Sequence, residues 1–153
     1  RDYIGESVHI ETAVIREKVP AWSAGKLKAA IDLHCPYIRE NRHETIHLVG
    51  SESESHWQEQ IRFSHILEAV RTGGLPFCAA DNLPFGVAWN TAENYAAGKS
   101  FGRWASELPG VRLATGIEFP YANVGDLDTR PELARGFGSD LAAALKVYLE
   151  TTA

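Results

Sequence analysis

A short apolar run followed by Asp32 and His34 decides the fold of this chain: Ala29-Ala30-Ile31-Asp32-Leu33-His34-Cys35-Pro36-Tyr37. A few apolar residues that end near a proline are typical of a buried strand. A buried strand that delivers an imidazole at its carboxyl end commonly builds a site in an α/β protein. The alternative is a structural histidine, because Asp32 lies on the same strand face and can satisfy the ring of His34.

Around this strand, helical and extended patterns alternate along the chain. We predict helices over 7–19, 54–71 and 129–149, a helix in one or two pieces over 90–108, a loop over 75–89, and further strands over 45–49 and 111–119. Pro20 is expected to end the first helix. Strands that alternate with helices predict an α/β domain, and a sheet of only three strands predicts that part of it lies upstream of Arg1.

Length and charge limit the classes of function. The 153 residues fit one domain, residues 1–153, with a sizeable core. The formal net charge of -5 argues against a nucleic-acid groove, which needs clustered Lys and Arg. No apolar run approaches the roughly 20 residues of a membrane-spanning helix, so we expect neither nucleic acid nor membrane as partner. The sequence has no Met and opens at Arg1, so we expect a piece of a longer or processed protein.

One short motif, His43-Glu44-Thr45-Ile46-His47, fits the HExxH pattern of zinc endopeptidases. That chemistry needs a helix, in which the two histidines lie one turn apart. The local sequence favours a strand that ends at Gly50, and a strand would separate His43 from His47 by about 13 Å, too far for one zinc ion. A zincin-type endopeptidase that uses His43, Glu44 and His47 is therefore the weaker alternative.

A second signal is a carboxylate among apolar residues near the end of the 111–119 strand, in Thr115-Gly116-Ile117-Glu118-Phe119-Pro120. A carboxylate that is shielded from water suits general acid and base catalysis. The alternative is a glutamate on the sheet edge that points at solvent.

Three places together resemble the C-terminal part of the zinc metallocarboxypeptidases, the carboxypeptidase A-like family. Arg1-Asp2-Tyr3 resembles the end of that family's Asn-Arg motif. Asp32-Leu33-His34 resembles the strand end that supplies the last zinc histidine. Gly116-Ile117-Glu118-Phe119 resembles the late strand that carries the catalytic glutamate. Their order and rough spacing agree, and the resemblance covers nearly the whole chain.

This resemblance implies an α/β/α layered mixed sheet of the carboxypeptidase/phosphorylase-like kind. It implies a metalloprotease that removes C-terminal residues from peptides or proteins with one zinc ion. His34 would be a zinc ligand and Glu118 the general base and acid, and we expect the two side chains to converge from neighbouring strand ends on one cleft. Arg1 would grip the terminal carboxylate of the substrate, and Tyr95 would match the tyrosine that caps it. Arg103 lies where the family shapes its side-chain pocket, and a cation there favours an acidic C-terminal residue; the plainer interpretation is a solvated cation.

The sequence also departs from the family pattern. The first two zinc ligands, in an HxxE motif, precede the Asn-Arg pair, and this sequence begins at Arg1. A catalytic zinc needs three protein ligands, so we expect the others to come from the N-terminal part of the same polypeptide. The chain alone would then be inactive. A non-catalytic binding or scaffold domain of the same fold is the alternative from another functional class.

Overall fold

The computed structural model describes residues 2–39, 42–96 and 98–152. In chain order its elements are α1 (Ile10–Ser23), β1 (Ala29–His34), β2 (His47–Val49), α2 (Glu54–Val70), a 3₁₀ turn (Ala79–Asp81), α3 (Ala92–Tyr95), α4 (Phe101–Ser106), β3 (Leu113–Glu118), β4 (Asn123–Val124), β5 (Leu127–Asp128) and α5 (Pro131–Thr151). The described chain is mixed α/β, as the sequence predicts. No helix in its described parts combines the length and the apolar character that crossing a membrane requires.

A small mixed sheet with the strand order β1-β3-β2 forms the centre of the fold. β1 runs parallel to β3, with Ala29 opposite Leu113 and His34 opposite Glu118. β2 runs antiparallel to β3, with His47 opposite Glu118. Because residues that face each other in register project to the same side of a sheet, Glu118 has a histidine beside it on each neighbouring strand.

Alternation along β3 sends its side chains to two separate apolar clusters. Leu113 and Ile117 are fully buried in the larger cluster, which α2 and α5 complete. Ala114 faces the smaller cluster, in which Trp104 of α4 packs against the ring of Tyr3 with centroids 5.2 Å apart. Helices therefore cover both faces of the sheet. The residues of β3 that alternate with Leu113 and Ile117 face α4.

The first helix differs from its predicted bounds. α1 begins at Ile10, after the carboxylate of Asp2 has accepted the backbone N–H groups of Val8 and His9 at 2.8 and 2.9 Å. It continues through Pro20 to Ser23. The prediction that Pro20 ends the helix was wrong, because proline removes one backbone donor while its fixed φ is compatible with the helical turn that follows.

The loop over 75–89 closes the outer side of β2. The side-chain oxygen of Asn82 accepts the N–H of Leu48 at 3.0 Å, and the N–H of Gly50 donates to the carbonyl of Leu83 at 2.8 Å. The loop approaches so closely that a Cβ at Gly50 would lie 2.8 Å from that carbonyl oxygen. The loop thus fixes β2 in place beside the central strand.

Candidate functional site

His34 lies between two carboxylates at the carboxyl end of β1. Its Nε2 is 3.0 Å from Oε1 of Glu118, and its Nδ1 is 3.2 Å from Oδ2 of Asp32. The hydrogen bonds to Asp32 and then to Glu118 raise the pKa of His34 to about 10, although partial burial opposes the shift. Since both partners accept hydrogen bonds, the ring is an imidazolium at neutral pH when no metal is bound.

Gly116 makes room for this ring on the central strand. It lies opposite Asp32 in the parallel register and two residues before Glu118 on β3. A Cβ at Gly116 would lie 3.2 Å from Cε1 of His34, which is closer than the ~3.5–4.0 Å of an ordinary carbon contact. The absence of a side chain is therefore what lets the imidazole lie across β3.

Glu118 ends β3 and is 4% exposed, so it does not point at solvent. Its Oε1 contacts His34, whereas its Oε2 is buried and has no hydrogen-bond partner among the residues that the structure describes. A buried carboxylate is costly unless it is paired, and the imidazolium of His34 supplies that pairing.

A cavity of about 890 Å³ opens in front of these groups. This volume lies within the usual range for small-molecule sites. Asp32, His34 and Glu118 line it side by side, and we call these three residues the floor of the cavity. Its remaining walls include six aromatic side chains: Tyr3, Tyr37, Phe85, Trp89, Tyr95 and Phe101. The floor thus offers charged groups for chemistry, and the walls offer apolar surface for binding.

The structure brings four of the predicted site residues, His34, Glu118, Tyr95 and Arg103, to this cavity. Tyr95 ends α3, and its hydroxyl donates to Oδ1 of Asn90 at 3.1 Å. Arg103 lies on α4, with its guanidinium 3.6 Å from a carboxylate oxygen of Glu52. The plainer interpretation of Arg103 as a solvated cation agrees with its half-exposed side chain, and Tyr95 is half-buried, but both side chains also line the cavity.

Arg1, the predicted grip on the substrate carboxylate, lies outside the described residues.

The HExxH residues do not form a helical turn. Residues 42–45 form a turn and a bend, and His47 begins β2, close to the predicted strand. His47 is 1% exposed, whereas His43 is half-buried. The zincin alternative therefore lacks the helical spacing that would bring His43 and His47 to one ion.

The described donors are also insufficient for a complete zinc site. Within residues 2–39, 42–96 and 98–152, no group of three or more His, Cys, Asp or Glu is placed to hold a metal ion. His34 fits one ligand position, because its imidazole lines the cavity and its Nδ1 is already oriented by Asp32. The described residues thus fit the role of a single ligand.

Sequence reasoning missed the contributions of Gly116, Glu52 and His47 to this site. A glycine inside a strand signals a close approach of another group, and Gly116 carried that signal. Glu52 is distant in sequence from Arg103, and no local pattern links them.

The site is thus a buried carboxylate and a histidine that meet from adjacent strands at the floor of a cavity. No protein-family model, curated protein or solved structure matches this chain.

Proposed function

We propose that this chain is part of a zinc-dependent carboxypeptidase-like hydrolase, in which His34 is a zinc ligand and Glu118 the general base. The observation that supports this proposal is the 3.0 Å contact between Nε2 of His34 and Oε1 of Glu118 at the floor of the cavity. The proposed fold is an α/β/α layered mixed sheet of the carboxypeptidase/phosphorylase-like kind, of which the three-stranded sheet β1-β3-β2 would form a part.

In this proposal, each residue of the floor has a separate task. A bound zinc ion would supply a water molecule of lowered pKa, and its other ligands would come from the N-terminal part of the polypeptide. Glu118 accepts a proton from the reacting water and returns it to the leaving amine. Asp32 fixes the ring of His34 through Nδ1, which leaves Nε2 as the nitrogen that faces Glu118.

The proposed substrate is the C-terminus of a peptide or protein. The cavity is large enough for a terminal side chain, and its aromatic walls favour the apolar part of such a residue. Arg1 would bind the terminal carboxylate, and Tyr95 would cover the substrate from α3. Arg103 adds a cation to the wall, which favours an acidic terminal residue.

The experiment uses the longest natural polypeptide that contains this chain. Glu118→Gln is expected to abolish release of C-terminal amino acids from peptides and to leave the zinc content unchanged, since Glu118 is not proposed as a ligand. His34→Ala is expected to lower both the release of C-terminal amino acids and the zinc content. The matched control is Glu44→Gln, which is expected to change neither of these two quantities. A fully active Glu118→Gln variant would reject the proposed role of Glu118.

The same variants test the alternatives. A zincin-type endopeptidase predicts that His47→Ala and not His34→Ala removes zinc, and that Glu44→Gln abolishes turnover. A non-catalytic scaffold domain is favoured by one observation, the lack of a three-ligand cluster among the described residues. It predicts a longest natural polypeptide without bound zinc and without peptidase activity.

A further inference from the structure

His47 lies beside Glu118 on the strand opposite to β1. The antiparallel register of β2 and β3 pairs His47 with Glu118, so both side chains project to the α4 side of the sheet. The neighbours Ile46 and Leu48 are buried in the large apolar cluster on the other side. His47 is nevertheless only 1% exposed. A polar ring therefore lies buried next to the proposed general base.

The protonation of this ring follows from its one hydrogen bond. Nδ1 of His47 lies 2.9 Å from the carbonyl oxygen of Thr45. A carbonyl only accepts hydrogen bonds, so Nδ1 carries the hydrogen. Burial lowers the pKa of His47, although the Thr45 carbonyl and the nearby Glu118 carboxylate oppose the shift. The ring is therefore neutral, and its Nε2 presents a lone pair.

Two buried acceptors remain on this side of the sheet. In the described parts of the chain, neither Nε2 of His47 nor Oε2 of Glu118 has a hydrogen-bond partner. Two acceptors do not bond each other directly, and leaving both unpaired in the interior is unfavourable. A single water molecule carries two hydrogens, which is enough to donate to one acceptor on each side chain.

We propose that His47 is a positioning residue for Glu118, which it holds at Oε2 through one water molecule that donates to both side chains. His34 contacts the other oxygen, Oε1, from the opposite strand. In the zinc-free chain the carboxyl group is thereby held from both sides and does not rotate about its terminal torsion, which is otherwise soft. When Nε2 of His34 binds zinc instead, the contact at Oε2 still holds the carboxyl group. For its effect on turnover, this inference rests on the proposed function. The contact at Oε2 keeps Oε1 as the oxygen that faces His34 and the cavity.

The kinetic test compares two substitutions in the longest natural polypeptide. His47→Leu removes the acceptor, so kcat is expected to fall about tenfold or more, while KM and zinc content stay unchanged. His47→Gln keeps a polar amide near the position of Nε2, and kcat is expected to stay within about threefold of the unmutated protein. Tyr148→Phe is the control for lost stability, because it removes a partly buried hydrogen bond to Glu59 on the far side of the sheet.

A spectroscopic measurement tests the contact without any substitution. In the unmutated polypeptide with labelled histidines, we expect the hydrogen of His47 on Nδ1, an unprotonated Nε2, and a cross peak from the ring to a long-lived water. A hydrogen on Nε2, or the lack of such a water, overturns the inference. So does an unchanged kcat in His47→Leu. If the unmutated polypeptide releases no C-terminal residues, the proposed function fails, and the spectrum still decides whether His47 holds Glu118.

Discussion

Gly116→Ala is expected to separate the function of this site from the stability of the fold. Gly116 lies within β3 and is not among the glycines with positive φ, so alanine fits its backbone. The added Cβ would lie 3.2 Å from Cε1 of His34 and 3.9 Å from Cγ2 of Val49. Only the first contact is too short, so the imidazole is the group that must move.

The expected magnitude follows from these distances. Restoring an ordinary carbon contact of ~3.5–4.0 Å moves the ring by roughly 0.5 Å. The ring is bonded at 3.0 and 3.2 Å on its two sides, so this movement weakens its hydrogen bonds to Glu118 and Asp32. A misplacement of this size in a catalytic group lowers kcat/KM by about tenfold. Stability changes by less than about 1 kcal/mol, because weaker hydrogen bonds of a half-exposed ring are offset by the reduced entropy of the unfolded chain.

Three measurements check this prediction. Urea unfolding is expected to give a nearly unchanged free energy, NMR titration of the zinc-free chain a lower pKa for His34, and peptide cleavage by the longest natural polypeptide a reduced rate. Gly138→Ala in α5 is the control for helix stabilisation, since its Cβ would meet no atom within 4 Å. Gly102→Ala is the control on the cavity wall, since its nearest contact would be an ordinary 3.5 Å. If Gly116→Ala leaves both the pKa of His34 and turnover unchanged, the ring does not depend on the missing side chain.

Two further predictions concern His34 and Arg103. In the zinc-free chain the folded state raises the pKa of His34 from 6.5 to about 10, so its contribution to stability is complete below pH ~6.5 and is lost as pH rises towards ~10. Because the ring is half-exposed, screening reduces this contribution to about 1 kcal/mol. It is measured by urea unfolding of the unmutated chain and of His34→Asn at about pH 6 and about pH 9. If the difference in unfolding free energy between the two proteins does not vary with pH, the prediction is contradicted. Arg103→Ala is expected to lower the preference for Glu-ended over Leu-ended peptides by up to about fivefold, and Glu52→Gln to raise it, since the 3.6 Å pair partly neutralises the cation; equal ratios in all three proteins would exclude Arg103 from substrate selection.

The elements that follow local patterns were predictable from the sequence. β1 and β3 match their apolar patterns, and α5 matches the regular apolar stripe of the last predicted helix. The chain forms a loop over 75–89, where prolines and a glycine predicted one. These predictions succeeded because periodicity and chain breakers act within a few residues. The predicted end of α1 was wrong for the same reason. It was inferred from Pro20 alone, whereas the helix continues through this residue to Ser23.

The pairing of distant residues was not predictable in this way. The prediction that His34 and Glu118 converge from neighbouring strand ends on one cleft was confirmed, but the sequence did not indicate that these strands pair in register or that Oε1 contacts Nε2. The HExxH pattern of His43 and His47 suggested a zinc site and did not indicate that His47 lies opposite Glu118 in the sheet. Register depends on tertiary packing, and a three-residue strand such as β2 carries too short a pattern to specify its partner.

The apolar neighbours of His47 explain why this pairing is nevertheless stable. Ile46 and Leu48 are 1% and 0% exposed, and both lie in the large cluster. A slip of β2 by one residue would turn both side chains to the opposite face and His47 into the apolar core. Losing the burial of two such side chains costs roughly 3–6 kcal/mol, a large share of the stability of a typical domain. The position of His47 beside Glu118 is therefore set by the hydrophobic residues on either side of it, not by the polarity of its own ring.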